Sequence, residues 1–204
     1  MITIIHYGLG NIRAFVNIYE RLNIPVAVAR TAGDLQHATK IILPGVGAFD
    51  YAMELLNRSG MRETLDELVL GRQVPILGVC VGLQMMAQSS EEGELPGLGW
   101  IDGTVKKLPV SGLNSKTQLP HMGWNTIQFD TPHPLLINLD RESRFYFLHS
   151  YYFHCNNKND IVTTTQYGIQ FASMVNAKNI YGVQFHPEKS HYWGTQLLMN
   201  FAEL

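Results

Sequence analysis

Two short stretches of the chain carry side chains that could do chemistry together. The first is Gly78-Val79-Cys80-Val81-Gly82. An apolar run, Pro75-Ile76-Leu77, leads into it, and a helix-compatible run, Leu83-Gln84-Met85-Met86-Ala87, leads out. This pattern predicts a strand, a tight turn and a helix with a cysteine at the apex, the flanking glycines permitting the turn. Free N–H groups and the dipole at a helix start favour a thiolate there. The plainer alternative is a buried, inert core cysteine. The second stretch, Tyr181-Gly182-Val183-Gln184-Phe185-His186-Pro187-Glu188, is a strand-like run ending in His-Pro-Glu. A thiol needs a base, and that base needs a group to orient it. His186 supplies the first role near neutral pH, and Glu188 can supply the second. Pro187 stiffens the link. His186 alone would read as a polar residue at a strand end. Taken with Cys80 it suggests a Cys–His–Glu triad.

Such a triad needs a scaffold, and the first half of the chain alternates strand and helix. Ile2–His6, Val26–Ala29, Ile41–Leu43 and Pro75–Leu77 read as short apolar strands. Asn11–Leu22, Tyr51–Asn57 and Met61–Leu70 have helical spacing. This is the pattern of an α/β fold, a parallel sheet with helices on both faces. Function in such sheets gathers at the carboxyl ends of the strands. Pro44-Gly45-Val46-Gly47 and Cys80 both fall at such ends, in one crevice. After residue 98 strands and turns take over: Trp100–Leu108, Asn125–Phe129, Phe145–Leu148, Ile161–Thr165, Gln170–Val175 and Ile180–Phe185, with loops at Val110–Gln118 and Thr131–Pro134. His191–Glu203 closes the chain as a helix. No linker divides it, so one mixed domain over residues 1–204 is expected.

Six ordered motifs carry a family resemblance. They are Tyr7-Gly8-Leu9-Gly10-Asn11, Leu43-Pro44-Gly45-Val46-Gly47-Ala48-Phe49, the Cys80 turn, His121-Met122-Gly123-Trp124-Asn125, His149-Ser150-Tyr151-Tyr152 and Phe185-His186-Pro187-Glu188-Lys189-Ser190. Together they resemble the triad-type, class I glutamine amidotransferases. More narrowly they are similar to the glutaminase subunits of imidazole glycerol phosphate synthase. The resemblance implies a single-domain fold with a mostly parallel central sheet, flanking helices and an added antiparallel strand region. It implies that Cys80 attacks the glutamine side-chain amide to form a thioester, with His186 moving the proton and Glu188 holding His186.

The oxyanion needs preorganised donors. The amide of Val81, next after the nucleophile, is one candidate. The other lies in Gly45-Val46-Gly47, which by composition alone is a plain strand-ending turn and by resemblance an oxyanion strand that can need remodelling; Val46 and Gly47 are the residues concerned, with Gly45 facing substrate. Gln84 lies one helical turn past Cys80. By resemblance it contacts glutamine, as does Glu92, which otherwise reads as a solvated loop charge. His149, Ser150 and Tyr151 would hold the amino-acid end, partly through backbone; a strand with buried tyrosines is the alternative. The resemblance further implies a (β/α)₈-barrel cyclase partner in a heterodimer, with Trp124, Tyr146 and Lys189 at the interface. Two positions depart from the family pattern. His6 stands where Asp is usual, and Val81 where Leu is usual, the latter keeping its backbone N–H.

Bulk properties narrow the field. A net charge of −2 gives no nucleic-acid surface. The two cysteines, Cys80 and Cys155, lie in different contexts, and a disulfide between them is the weaker reading. No cysteine or histidine cluster suggests a metal, and no cofactor is called for. Met1-Ile2-Thr3-Ile4-Ile5 has no basic flank and reads as a first strand. No segment reaches the roughly 20 apolar residues of a membrane span, so a cytoplasmic protein is expected. The leading function, implied by the resemblance, is a glutaminase supplying ammonia for imidazole glycerol phosphate and AICAR formation in histidine biosynthesis. The alternatives are the same half-reaction serving a sugar-amidinating partner in surface polysaccharide synthesis, a non-catalytic regulatory module of the same fold, and a thiol hydrolase of similar topology.

Overall fold

The computed structural model describes residues 1–109 and 118–204. The loop expected over Val110–Gln118 falls, except for its last residue, outside the described residues. The first half of the chain builds β1 (Ile2–Ile5), α1 (Ile12–Arg21), β2 (Val26–Ala29), α2 (Ala32–Leu35), β3 (Lys40–Gly45), α3 (Phe49–Arg58), α4 (Arg62–Asp66) and β4 (Ile76–Cys80). A one-turn helix α5 (Val81–Gln84) and a short strand β5 (Ser89–Ser90) follow. The second half contributes β6 (Gly103–Lys107), β7 (His121–Thr126), β8 (Arg144–His149), β9 (Tyr151–Cys155), β10 (Ile161–Tyr167), β11 (Ile169–Ala177), β12 (Ile180–Val183) and α6 (His191–Glu203).

Seven strands form the central sheet in the order β10-β11-β12-β4-β3-β1-β2. The five from β12 to β2 run parallel, and β11 and β10 add an antiparallel edge. Helices on both faces explain why β1 and β4 are wholly buried and, apart from Thr3, apolar rather than alternating. α1 turns Phe15, Ile18 and Tyr19 inward, and the Tyr19 hydroxyl donates to the Leu198 carbonyl of α6 at 3.1 Å. Two smaller sheets, β5-β6-β9 and β7-β8, stand beside the main one.

The expected α/β class and mostly parallel sheet are what the structure shows. Three local expectations change. The helix after Cys80 is a single turn ending at Gln84, not a run through Ala87. β7 begins at His121, ahead of the expected Asn125. β9 takes up the strand offered as the alternative for His149-Ser150-Tyr151 but runs on to Cys155, a length that Tyr151-Tyr152-Phe153-His154-Cys155 does not announce because it shows no clean polar–apolar alternation. Among the described residues, no helix is long and apolar enough to cross a membrane.

Candidate active site

Register explains how residues far apart in sequence meet. β3 and β4 end side by side, with Gly45 paired to Cys80. On the other side of β4, Val183 of β12 pairs with Val79. The chain leaving β12 therefore passes Cys80 as Gln184 to Glu188. All three strands present their carboxyl ends there, where parallel sheets hold ligands.

Cys80 bears the strain of the turn itself, at φ 55° and ψ −111°. That is costly for a residue with a side chain and is characteristic of functional turns. The flanking glycines serve a different purpose from the one expected of them. Neither has a positive φ. A Cβ on Gly82 would collide with the Leu43 carbonyl, and one on Gly78 would sit 2.7 Å from the Met86 side chain. They let the turn pack onto β3 and its own helix. With α5 only four residues long, its dipole is weak. A thiolate at Cys80 must rely on another partner.

That partner is His186. Its ring is buried, and its Nδ1 lies 2.9 Å from Glu188 Oε1 across a short 3-10 turn, Pro187–Lys189. An ionised carboxylate only accepts, so Nδ1 carries a proton and Nε2 is left for the sulfur. Burial pushes the imidazolium down. The hydrogen bonds and negative charges of Cys80 and Glu188 outweigh it, raising His186 to about 10. The backbone is pinned as well: the His186 amide donates to the Tyr146 carbonyl at 2.8 Å, and Ser190 Oγ donates to the His186 carbonyl at 2.6 Å.

A cavity of about 300 Å³ opens over the sulfur. Its walls include Val46, Gly47, Val81, Gln84, Glu92, His149, Ser150, Tyr151 and Lys189, together with Pro120 and Leu148. Gly45 lies beneath it, where a Cβ would meet the backbone of Val81 and Gly82. Gly47 adopts φ +88°, with open space where a side chain would begin. The Gln84 amide is committed to the fold: its Nε2 donates to the Tyr151 carbonyl at 2.9 Å and to Gln184 Oε1 at 3.2 Å. The Glu92 carboxylate accepts from the Phe49 amide at 3.0 Å. Burial is the main cause raising its pKa, opposed by that hydrogen bond. Both ring nitrogens of His149 are also engaged, one by the Tyr151 carbonyl at 2.9 Å and one by His121 at 3.0 Å. Its imidazole is therefore not available to a ligand, and what this segment offers the cavity is backbone.

Beside the cavity, Lys189 Nζ stands 5.7 Å from the centre of the Tyr146 ring. Trp124 meets Tyr146 edge-on at 6.1 Å and stacks on His191 at 5.3 Å. Trp124 is 44% exposed and its strand neighbour Met122 63%, so the cluster faces outward. His6 lies elsewhere, in a groove with Arg13 and Arg30, and its buried Nδ1 lacks a partner. Sequence reasoning missed three supports. Gln184 Nε2 approaches the Cys80 sulfur at 3.9 Å. The Tyr7 hydroxyl donates to the Pro44 carbonyl at 2.9 Å, steadying the end of β3. His121 backs His149. Tyr7 and His121 sat in recognisable motifs, but only the register reveals what they touch. Among the described residues, no group of three or more His, Cys, Asp or Glu side chains could hold a metal ion.

A strained thiol, a raised imidazole and a carboxylate over a cavity suit attack on an amide or ester carbonyl. The family model for class-I glutamine amidotransferases matches residues 3–203. The chain belongs to the class-I glutamine amidotransferase family. Within it, the chain is 56% identical over 205 residues to the imidazole glycerol phosphate synthase subunit HisH of Bdellovibrio bacteriovorus, covering 100% of both chains. It is 49% identical to the subunit of the same name from Leptospira interrogans, again over 100% of each. A solved structure described as a glutamine amidotransferase superposes with a TM-score of 0.75 over 100% of this chain and 99% of that one; at 16% identity it speaks for the fold alone. In this class-I amidotransferase, the fold is thus fixed independently of the local identity that marks the HisH branch.

Proposed function

We propose that the chain is the glutaminase half of imidazole glycerol phosphate synthase in histidine biosynthesis. Cys80 Sγ attacks the side-chain carbonyl carbon of L-glutamine. The proton held on His186 passes to the leaving ammonia, and a thioester remains. Water, deprotonated by His186, then attacks the thioester to release glutamate and restore the thiol. Glu188 orients the ring. The amides of Val81 and of the Val46–Gly47 turn receive the oxyanion. Gly45, Gln84, Glu92 and the segment His149–Tyr151 shape the glutamine cradle, Gln84 and His149 by fixing the Tyr151 carbonyl.

Ammonia in water at neutral pH is mostly ammonium, a poor nucleophile, so direct transfer to an acceptor site is favoured. We assign that site to a cyclase subunit of (β/α)₈-barrel fold, docked on the face of Trp124, Tyr146 and Lys189 in the cytoplasm. The observation that carries the reading is 56% identity across the full length of a HisH subunit, together with Cys80 and His186 lining one cavity. Reconstitution with the cyclase subunit tests it. Glutamine-dependent formation of imidazole glycerol phosphate and AICAR is expected; transfer of nitrogen only to a sugar-modifying partner would overturn it.

A further inference from the structure

His121 lies outside the triad and does not line the cavity, yet the register of β7 on β8 sets it directly opposite His149. The hydrogen bonds there have a single consistent direction. The Tyr151 carbonyl can only accept, so His149 Nδ1 donates to it at 2.9 Å. His149 Nε2 then carries a lone pair and accepts from His121 Nδ1 at 3.0 Å. His121 Nε2 is left as an acceptor, within 3.3 Å of the Asn125 side-chain amide. Asn125 is itself fixed by the Gln166 carbonyl at 3.1 Å and by its own bond from the Thr126 amide.

This row tolerates one protonation state, with both rings neutral. An added proton would set two donors face to face. Burial favours the same state, lowering His121 to about 4 and, with the neighbouring histidine second, His149 to about 3. The His121 ring is clamped between Tyr167 at 3.8 Å and Phe147 at 4.7 Å, both nearly parallel to it. At its far end the row meets the backbone that borders the nucleophile: the Leu148 carbonyl is 3.9 Å from the Cys80 sulfur, and Ser150 and Tyr151 line the cavity.

We propose that His121 is a positioning residue for glutamine binding, holding the Ser150–Tyr151 backbone in place through His149. The inference rests on the reading of the cavity as the glutamine site. A histidine that merely filled space would act through its ring. A positioning histidine acts through its Nδ1 donor, and two substitutions separate these roles. His121→Phe keeps the stacked ring and loses the donor. His121→Asn loses the ring and keeps a donor near the Nδ1 position.

Both variants should be assayed in the complex with the cyclase subunit. Leaving the buried His149 acceptor unpaired in His121→Phe should raise KM for glutamine roughly 10-fold, with kcat within about 3-fold. His121→Asn should lie closer to the wild-type KM even if it melts earlier. A wild-type KM in His121→Phe, or a higher KM in His121→Asn than in His121→Phe, would overturn the proposal. Alkylation of Cys80 supplies a readout besides turnover. Iodoacetamide needs no cradle and should react equally with wild type and His121→Phe. A glutamine-shaped chloroketone should react roughly 10-fold more slowly with the variant. Equal chloroketone rates would sink the positioning role alone. A chloroketone with no preference for Cys80 in the wild type would sink the glutamine reading first, and this inference with it.

Discussion

Cys80 and Cys155 are chemically the same residue, and both are free and buried at the ends of strands. Their surroundings differ in every respect that matters to a thiol. Cys155 sits at the end of β9, its sulfur 3.1 Å from the Asn157 carbonyl, which it can only donate to. Burial, then the nearby Asp160, push its thiol up to about 11. Cys80 sits on a strained turn and faces a histidine that carries a proton it would not otherwise keep when buried. The Gln184 amide, a donor, approaches its sulfur as well. Burial by itself makes an inert thiol; burial beside a positioned cation makes a reactive one.

The contrast should be largest in Cys80→Ser. Glutamine-dependent turnover is expected to fall by at least ~10⁴-fold, as for a removed nucleophile, while the assembled complex still uses added ammonium salts. Assaying both nitrogen sources side by side checks this, and retained glutamine turnover would end the assignment. His186→Ala follows, with an expected loss of ~10²–10⁴-fold. Glu188→Gln should lose less, because the ring keeps its backbone anchors to Tyr146 and Ser190. The sign of the pH effect also distinguishes the two cysteines. Negative partners stabilise the protonated ring, so His186 should titrate near 10 by NMR in the wild type. In Cys80→Ser the sulfur's share of that upward push disappears, and the ring should titrate lower. No change on that substitution would show that the sulfur and ring do not share a proton.

Much of this was legible in the sequence, for reasons that are local. The Cys80 turn and the His-Pro-Glu run announce themselves because tight turns and two-residue spacings are set by neighbours. The parallel half of the sheet is visible because strands buried on both faces are nearly continuous apolar runs, as in Ile2–Ile5, interrupted only by Thr3. The rest depends on register, which no short window contains. That Gly45 lies beside Cys80, and His121 opposite His149, follows from strand pairing over long separations. The glycines at 78 and 82 looked like turn residues, yet their reason is the approach of Met86 and of β3. Glu92 read equally well as a solvated charge until its bond to the Phe49 amide placed it on the cavity wall.

A reactive thiol still needs an oxyanion site, and here the comparison can be sharpened. Gly47 has a positive φ, and nothing lies within 4 Å of the position a Cβ would take there. We expect the isolated chain to hydrolyse glutamine slowly and the cyclase subunit with bound acceptor to stimulate it ~10²–10³-fold, about the worth of one oxyanion donor. The partner must bind the competent turn better than the resting one to shift that population. Turnover measured alone, with partner, and with partner plus acceptor checks it. Full activity in the isolated chain would remove the gating while leaving Cys80 as nucleophile.

The smallest effect should come from Cys155→Ser. A hydroxyl can still donate to the Asn157 carbonyl, so the hydrogen bond survives in altered geometry. Stability should change by about 1 kcal/mol, an ordinary value for a near-isosteric buried substitution, and glutamine turnover in the complex should stay within about 2-fold. Alkylation gives the matching kinetic statement. With its thiol at about 11, Cys155 holds on the order of one part in 10⁴ as thiolate at pH 7, and only the thiolate attacks. Iodoacetamide should therefore modify Cys80 alone at neutral pH, and reach Cys155 only as the pH climbs toward 11. Mass spectrometry of peptides after a timed pulse distinguishes the two sites. Equal labelling at pH 7, or a 10-fold loss of turnover in Cys155→Ser, would mean that the environment of β9 does not silence its thiol, and the contrast between the two cysteines would fail.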